Sequence, residues 1–259
     1  VEYSHHEVAP SQHEIDLRHE DALTTADNIM TFRLIVKETA LLNNIYASFM
    51  PKPLSHQNGS GLHLHLSLFK NDKNIFFDKN NPTFLSRTAE HFIAGLLRHC
   101  NEFFVLTNQW INSYKRLHQD FESPTHATWS YTSHDALVRV PQCRPDKPNA
   151  MRIEMQNPDP ACNPYLVFSA ILAAGLKGID EKYRLDEPLE GGMKNDAADY
   201  QRLPAHLHDA LSYFEKSDLM KETLGDLLFN KIIANKKLEL DRYNRYITDY
   251  EIQEYLPIL

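Results

Sequence analysis

Between residues 62 and 68 apolar and polar side chains alternate strictly. Leu62, Leu64, Leu66 and Leu68 take every second place, with His63, His65 and Ser67 between them. Side chains of a strand point to opposite faces with period two. The spacing therefore predicts a strand over 62–69, with one leucine face for the core and one face of imidazoles and a hydroxyl. Similar reasoning places short strands at 2–6 and 12–17, antiparallel neighbours joined by Ala9-Pro10-Ser11. Further strands are expected over 46–50, 126–131, 136–140 and 152–155.

Helical spacing governs 21–43, where Leu23, Ala26, Met30, Leu34 and Leu41 recur behind acidic residues. Pro82 leads into a helix expected to reach Cys100. Asn163-Pro164 is an N-cap and first-turn pair for the apolar helix that follows. Beyond the Gly191-Gly192 turn, helices are expected over 203–216 and 218–240. Residues 107–125, rich in Asn, Gln, Ser and Pro, read as a long loop, and such loops inside compact domains are usually functional. Antiparallel strand runs flanked by helices make the expected class α+β rather than alternating α/β.

Composition narrows the function. A chain of 259 residues with 42% hydrophobic content suffices for one large domain or two small ones. A net charge of -8 argues against nucleic-acid binding, which needs a basic surface. The longest apolar run, from Tyr165 to Leu176, is too short to span a bilayer. Cys100, Cys143 and Cys162 are few and far apart, which fits neither a disulfide framework nor a cysteine-based zinc site, and favours a reducing, cytoplasmic setting. The strand-like run begins at Val1 itself, so the sequence is read as part of a longer chain.

Candidate chemistry lies on the polar strand faces. Glu7 and Glu14 sit on the two arms of the first hairpin, where both carboxylates are able to meet on one side. Taken alone, each would more often be a solvated surface residue. His63 points away from the leucine face. Glu154 lies between Ile153 and Met155, on the side of Arg152 and Gln156. Three carboxylates and one imidazole suit Mg²⁺ or Mn²⁺ better than a structural zinc. Arg116, Arg139 and Arg152 have the guanidinium fork that matches phosphate or carboxylate. The loop Asn58-Gly59-Ser60-Gly61 can bring backbone N–H groups close to a ligand. Two classes survive on pattern alone: a divalent-metal enzyme moving a phosphoryl group, and a metal-dependent hydrolase opening on a His-x-His strand. The hydrolase reading wants later histidines, an Asp at a strand end and a βα alternation that this chain lacks.

The segments HHEVAPSQHEID, FMPKP, NGSGLHLHLS, NSYKRL, ALVRVP, RIEM and NPDPACNPYL, in this order, resemble the catalytic domain of type I glutamine synthetase, from Val1 to the C-terminus. The seven-residue step from Glu7 to Glu14 is similar to the shorter form of Gram-positive bacteria and archaea. The resemblance implies a curved, mainly antiparallel sheet flanked by helices, with 203–259 as the C-terminal helical part of one domain spanning 1–259. It also implies that an N-terminal β-grasp domain and the strand bearing the remaining metal carboxylates lie outside these residues.

The implied activity is ATP-dependent joining of glutamate and ammonia through γ-glutamyl phosphate, with Mg²⁺ or Mn²⁺ as cofactor and ATP as co-substrate. A γ-glutamyl-amine or polyamine ligase, or a non-catalytic relative, are the implied alternatives. The implied assembly is a ring-like homo-oligomer, dodecameric in relatives, with neither nucleic acid nor membrane as partner. By position, Glu7 and Glu14 match ligands of the first metal, and His63 and Glu154 match ligands of the second. His65, Ser67, Arg139 and Arg152 match nucleotide- and phosphate-side positions. Asn58, Gly59 and Arg116 match contacts to the amino-acid substrate. Glu122 matches the flap carboxylate that helps deprotonate ammonium, and Arg139 joins it as a catalytic position. The chain departs from the family pattern at His134 and Gln156, two positions on the substrate side where relatives carry arginines.

Overall fold

The structure, a computed structural model, describes residues 1–117, 123–189 and 200–259. Strands β1 (Tyr3–His6) and β2 (His13–Asp16) form the first hairpin, antiparallel, with His5 opposite Glu14. Helix α1 (Ala22–Leu42) follows, and the Asp21 carboxylate accepts from the Leu23 and Thr24 amides to start it. Strand β3 (Leu64–Leu66) leads into a small hairpin of β4 (Phe69–Lys70) and β5 (Lys73–Asn74). Helices α2 (Arg87–Thr107) and α3 (Ile111–Arg116) come next, then β6 (Trp129–Ser130), β7 (Val138–Arg139) and β8 (Ile153–Met155). The chain ends in α4 (Pro164–Asp180), α5 (Leu207–Phe214), α6 (Asp218–Asn244) and α7 (Asp249–Tyr255).

The four-stranded sheet has the order β3-β8-β7-β6. Its pairs are antiparallel except β6 with β7, which run parallel. The leucine face of β3 is the core face: Leu64 is buried, and Leu62, Leu66 and Leu68 pack against the cluster that holds Val138, Ile153 and Met155. Behind the sheet, α2 crosses α4 so closely that a Cβ at Gly95 would lie 2.3 Å from the Ala174 carbonyl, and one at Gly178 would lie 2.2 Å from the His91 carbonyl. Only glycine permits that approach, and it lets Phe92, Ile93 and Leu96 reach full burial.

Several expectations about elements change. Residues 46–50 are not a strand; Tyr46 and Met50 stay exposed, and no backbone neighbour pairs with the run among the described residues. Residues 107–125 are not one loop, because α3 forms inside them, with the Trp110 amide donating to Ser113 Oγ at 3.1 Å. The strand expected over 62–69 shortens to β3, since the Ser67 hydroxyl turns aside to the Met151 carbonyl at 2.7 Å. The helix after Pro82 starts later, where Ser86 Oγ accepts from the Ala89 amide, and runs on to Thr107. The helix over 218–240 is broken at Gly225 (φ 73°), and α7 adds a further turn of structure closed by Thr248 and Glu251. The Gly191-Gly192 turn lies outside the described residues.

Candidate active site

Strand register gathers the first group. His5 and Glu7, two apart, share a face of the β1–β2 hairpin, and Glu14 lies across from His5 on that face. The three offer ligand atoms that all lie within 4.8 Å of one another. No Lys or Arg pairs with Glu7 or Glu14 among the described residues; Glu7 accepts from the Val8 amide at 3.2 Å and has the His5 ring 3.7 Å away. Partial burial, reinforced by the Glu7 and Asp16 carboxylates beside it, pushes the Glu14 carboxyl up to about 7. Crowded carboxylates with an imidazole and no cation from the chain are a donor set that fits a hard divalent cation. His5 was missed by sequence reasoning, though its i−2 spacing from Glu7 on one strand was a usable signal.

The second group lies on the polar face of the four-stranded sheet. Register puts His65 opposite Glu154 and Arg139 opposite Glu154, so three strands place them in line. His63, two residues before His65, joins that face, with Nδ1 3.3 Å from Glu154 Oε1. Two ligands on one octahedral cation, each about 2.1 Å from it, sit about 3 Å apart, so this pair also fits a shared ion. Arg139 engages the other oxygen, Nε at 2.7 Å and Nη2 at 2.5 Å from Glu154 Oε2. Burial would raise the Glu154 carboxyl, but the His63 hydrogen bond and the charges of His65 and Arg139 outweigh it and pull it down to about 2. Arg152 Nε meets His65 Nδ1 at 3.1 Å, and Ser67 donates to the Met151 carbonyl, so both nucleotide-side candidates are oriented by neighbours.

The glycine loop lies between these groups and α3. A Cβ at Gly59 would sit 2.4 Å from the Pro51 carbonyl and 2.9 Å from Arg116 Cγ. Arg116 is buried, and its guanidinium donates to the carbonyls of Asn157 (2.9 Å), Pro158 (3.3 Å) and Gln156 (3.0 Å). Burial lowers it to about 10, opposed by the negative charge of Asp159, so it stays a cation at neutral pH. Asp159 itself is raised by burial against the pull of Ser113 and Arg116. Behind it, Asn108 Nδ2 donates to the Asn157 carbonyl at 2.8 Å, and Asn157 Nδ2 donates to Thr107 Oγ1 at 2.7 Å. Arg116 and Gln156 were candidates from the sequence, but their partners Thr107, Asn108, Asn157 and Asp159 were not singled out, because these contacts join segments some 40–50 residues apart.

The family description "Glutamine synthetase, catalytic domain" matches residues 1–255. The chain belongs to the glutamine synthetase catalytic-domain family. It is 47% identical over 264 aligned residues to the glutamine synthetase of Mycolicibacterium smegmatis, covering 100% of this chain and 59% of that protein. The cryo-EM structure of Plasmodium falciparum glutamine synthetase superposes with a TM-score of 0.88 at 31% identity, over 98% of this chain and 58% of that one. A structure described as a GmaS/ADP complex superposes with a TM-score of 0.90 at 32% identity, over 98% and 59% respectively. The chain thus spans about three-fifths of the length of the relatives it matches.

Within a glutamine synthetase catalytic domain, the candidate residues fall into two ligand clusters rather than a single one. Glu7 and Glu14 join His5; His63 and Glu154 join Arg139 and His65. Asn58 and Gly59 lie on the loop against Arg116. Gln156 is 2% exposed, and its Nε2 is buried with no hydrogen-bond partner among the described residues, whereas His134 is exposed on the turn before β7. Glu122 lies outside the described residues.

Proposed function

We propose that the protein to which this chain belongs is an ATP-dependent ligase that forms glutamine from glutamate and ammonia by way of γ-glutamyl phosphate, with two divalent cations, Mg²⁺ or Mn²⁺. The observation that carries this reading is the pair of clusters, one fitting a cation through His5, Glu7 and Glu14, the other through His63 and Glu154. When bound, the cations supply charge neutralisation for ATP phosphates and for the acid being activated.

The chain's own residues take the remaining tasks in this reading. Arg139 and Arg152 offer positive charge beside the transferring phosphoryl group, where a γ-carboxylate oxygen of glutamate attacks phosphorus and ADP departs. The backbone of the Gly59 loop, backed by the buried Arg116 whose guanidinium is bonded to the 156–158 carbonyls, holds the amino-acid end of glutamate. Glu122 takes a proton from ammonium, the free ammonia then attacks the acyl carbon and expels phosphate, and the second proton lost from nitrogen leaves with the phosphate to give the neutral amide. Residues 1–259 serve as the catalytic domain, with 203–259 as its C-terminal helical part.

A second reading, a ligase joining glutamate or a related acid to a larger amine, is favoured by one feature. Gln156 puts an unpartnered amide donor where relatives carry a cation, and the exposed His134 stands at the other such position. An assembly of several copies of the chain in a ring, in the cytoplasm, completes the proposal. It draws support from apolar side chains left exposed on α1 (Leu34, Ile35) and near the end of the chain (Tyr246, Ile247, Leu256). Among the described residues no helix is long and apolar enough to cross a membrane. The test is phosphate release by the full-length protein with Mg²⁺-ATP, glutamate and a panel of amines. Ammonium is the expected acceptor. Preference for a larger amine selects the second reading, and nucleotide binding without turnover on any acceptor overturns both. Light scattering decides the assembly, and a monomer overturns that part.

A further inference from the structure

The two halves of the site are tied by a residue that carries no charge. Gln12 sits in the turn between β1 and β2, and its side chain reaches the glycine loop. Its Nε2 donates to the Gly59 carbonyl at 3.0 Å and to Ser60 Oγ at 3.3 Å. Its Oε1 accepts from the Ala9 amide at 3.1 Å. Its backbone is held as well, the carbonyl accepting from the Glu7 amide at 2.8 Å and the amide donating to the Ala9 carbonyl at 3.1 Å. With a carbonyl on one side and an N–H on the other, only one orientation of the amide satisfies both neighbours. The loop has little freedom elsewhere, because Gly59 is wedged between the Pro51 carbonyl and the Arg116 side chain, and the Ser60 amide donates to Pro51 at 2.8 Å.

We propose that Gln12 is a positioning residue that couples cation binding on the hairpin to acid binding at the Gly59 loop. This rests on the reading of Glu7 and Glu14 as cation ligands and of the Gly59 loop as the amino-acid subsite. A cation shared by Glu7 and Glu14 fixes the separation of the two arms, and with it the turn from 8 to 12. Gln12 transmits that constraint directly to the Gly59 carbonyl and Ser60, and hence to the loop that lies on Arg116. Linkage makes the effect reciprocal: whatever factor the cation adds to acid affinity, the acid adds to cation affinity. Two hydrogen bonds of ordinary net strength correspond to a coupling factor of roughly tenfold.

The experiment measures Mn²⁺ binding to the full-length protein with and without saturating glutamate, and glutamate binding with and without Mn²⁺, by calorimetry. Gln12→Met keeps the length and removes the donor; Gln12→Glu keeps the acceptor for Ala9 and removes the donor. The native protein is expected to show mutual strengthening. Both variants are expected to lose roughly tenfold of that coupling, and Gln12→Met is expected to bind Mn²⁺ alone within about twofold of native. Ser60→Ala, which removes the longer of the two contacts, is expected to lose a smaller share. Coupling that survives in both Gln12 variants overturns the proposal. So does an equal loss of Mn²⁺ affinity with and without glutamate, which would make Gln12 a support of the hairpin alone. A native protein that binds Mn²⁺ and glutamate independently overturns the coupling but leaves the site reading intact. A native protein that binds no Mn²⁺ overturns both.

Discussion

Glu14 on the hairpin and Glu154 on the sheet are both strand glutamates with their carboxyls drawn out of water, yet they are driven in opposite directions, to about 7 and to about 2. The difference is made by neighbours. Glu154 has a histidine and an arginine against its two oxygens, whereas Glu14 faces Glu7, Asp16 and the His5 ring. The sheet site is therefore balanced by the chain itself and arranged before any ligand arrives. The hairpin site is a charge imbalance that a bound cation would relieve. Two ligand sets of similar composition can thus differ in whether the fold or the ion does the organising.

Glu154→Gln tests the balanced side and should have the largest effect. It removes a proposed cation ligand and leaves the Arg139 guanidinium without its counter-charge, and breaking such a pair costs about 3–5 kcal/mol when it is buried. Phosphate release by the full-length protein should fall about a thousandfold at saturating Mg²⁺-ATP. A fall of less than tenfold would deny Glu154 its role. His63→Ala should weaken Mg²⁺-nucleotide binding by about 10–100-fold, read by calorimetry. Unchanged nucleotide affinity would detach His63 from the cation.

The same isosteric change on the hairpin should act on stability with the opposite sign. A carboxyl raised from 4.5 to about 7 in the folded protein favours folding only while protonated. That contribution is complete below the unfolded value near 4.5 and is lost as pH rises through about 7. Glu14→Gln keeps the group neutral, so in EDTA at pH 8 it should stabilise the protein by about 1 kcal/mol after allowance for solvent screening. Thermal unfolding measures this, and the gain should shrink towards pH 5, while Mn²⁺ affinity drops. Destabilisation at pH 8 would mean that Glu14 is compensated by something other than a cation.

Glu102, on α2 and bonded to His99 and Ser217 rather than to either cluster, supplies the smallest effect and a control. Burial acts to raise its carboxyl, but the His99 ring at 2.6 Å and the Ser217 hydroxyl hold it below the ordinary carboxylate range. Stability from a depressed carboxyl is present above its unfolded value and lost as pH falls through the folded one. Glu102→Gln should therefore cost about 1 kcal/mol at neutral pH and less in acid, with no change in Mn²⁺ binding. A change in Mn²⁺ affinity would show that the clusters are not electrically separate from the helical layer.

The leucine face of β3, the hairpin of Glu7 and Glu14, the Asn163 cap and the α+β class were legible in the sequence, because each rests on local spacing or on a side chain bonding its own neighbours. Residues 46–50 misled because an apolar run says nothing about whether a neighbouring strand exists to pair with it. Helix α3 stayed hidden because polar composition masked the short apolar spacing of Ile111 and Tyr114, and because its start is held from afar, by Glu239 Oε1 accepting from the Ile111 amide at 3.2 Å. The broken helix α6 and the parallel pairing of β6 with β7 likewise needed the rest of the molecule.

By itself, then, the sequence determined which residue types stand on which strand face and which family the motif order resembles, since both are properties of near neighbours along the chain. Only the tertiary structure decided what each charge meets. Arg139 lands on Glu154 from 15 residues away, Arg116 caps the 156–158 carbonyls from about 40, and Gln12 closes on Gly59 from 47. Electrostatic state depends on distance and desolvation, and both are set where the chain returns on itself rather than along its length.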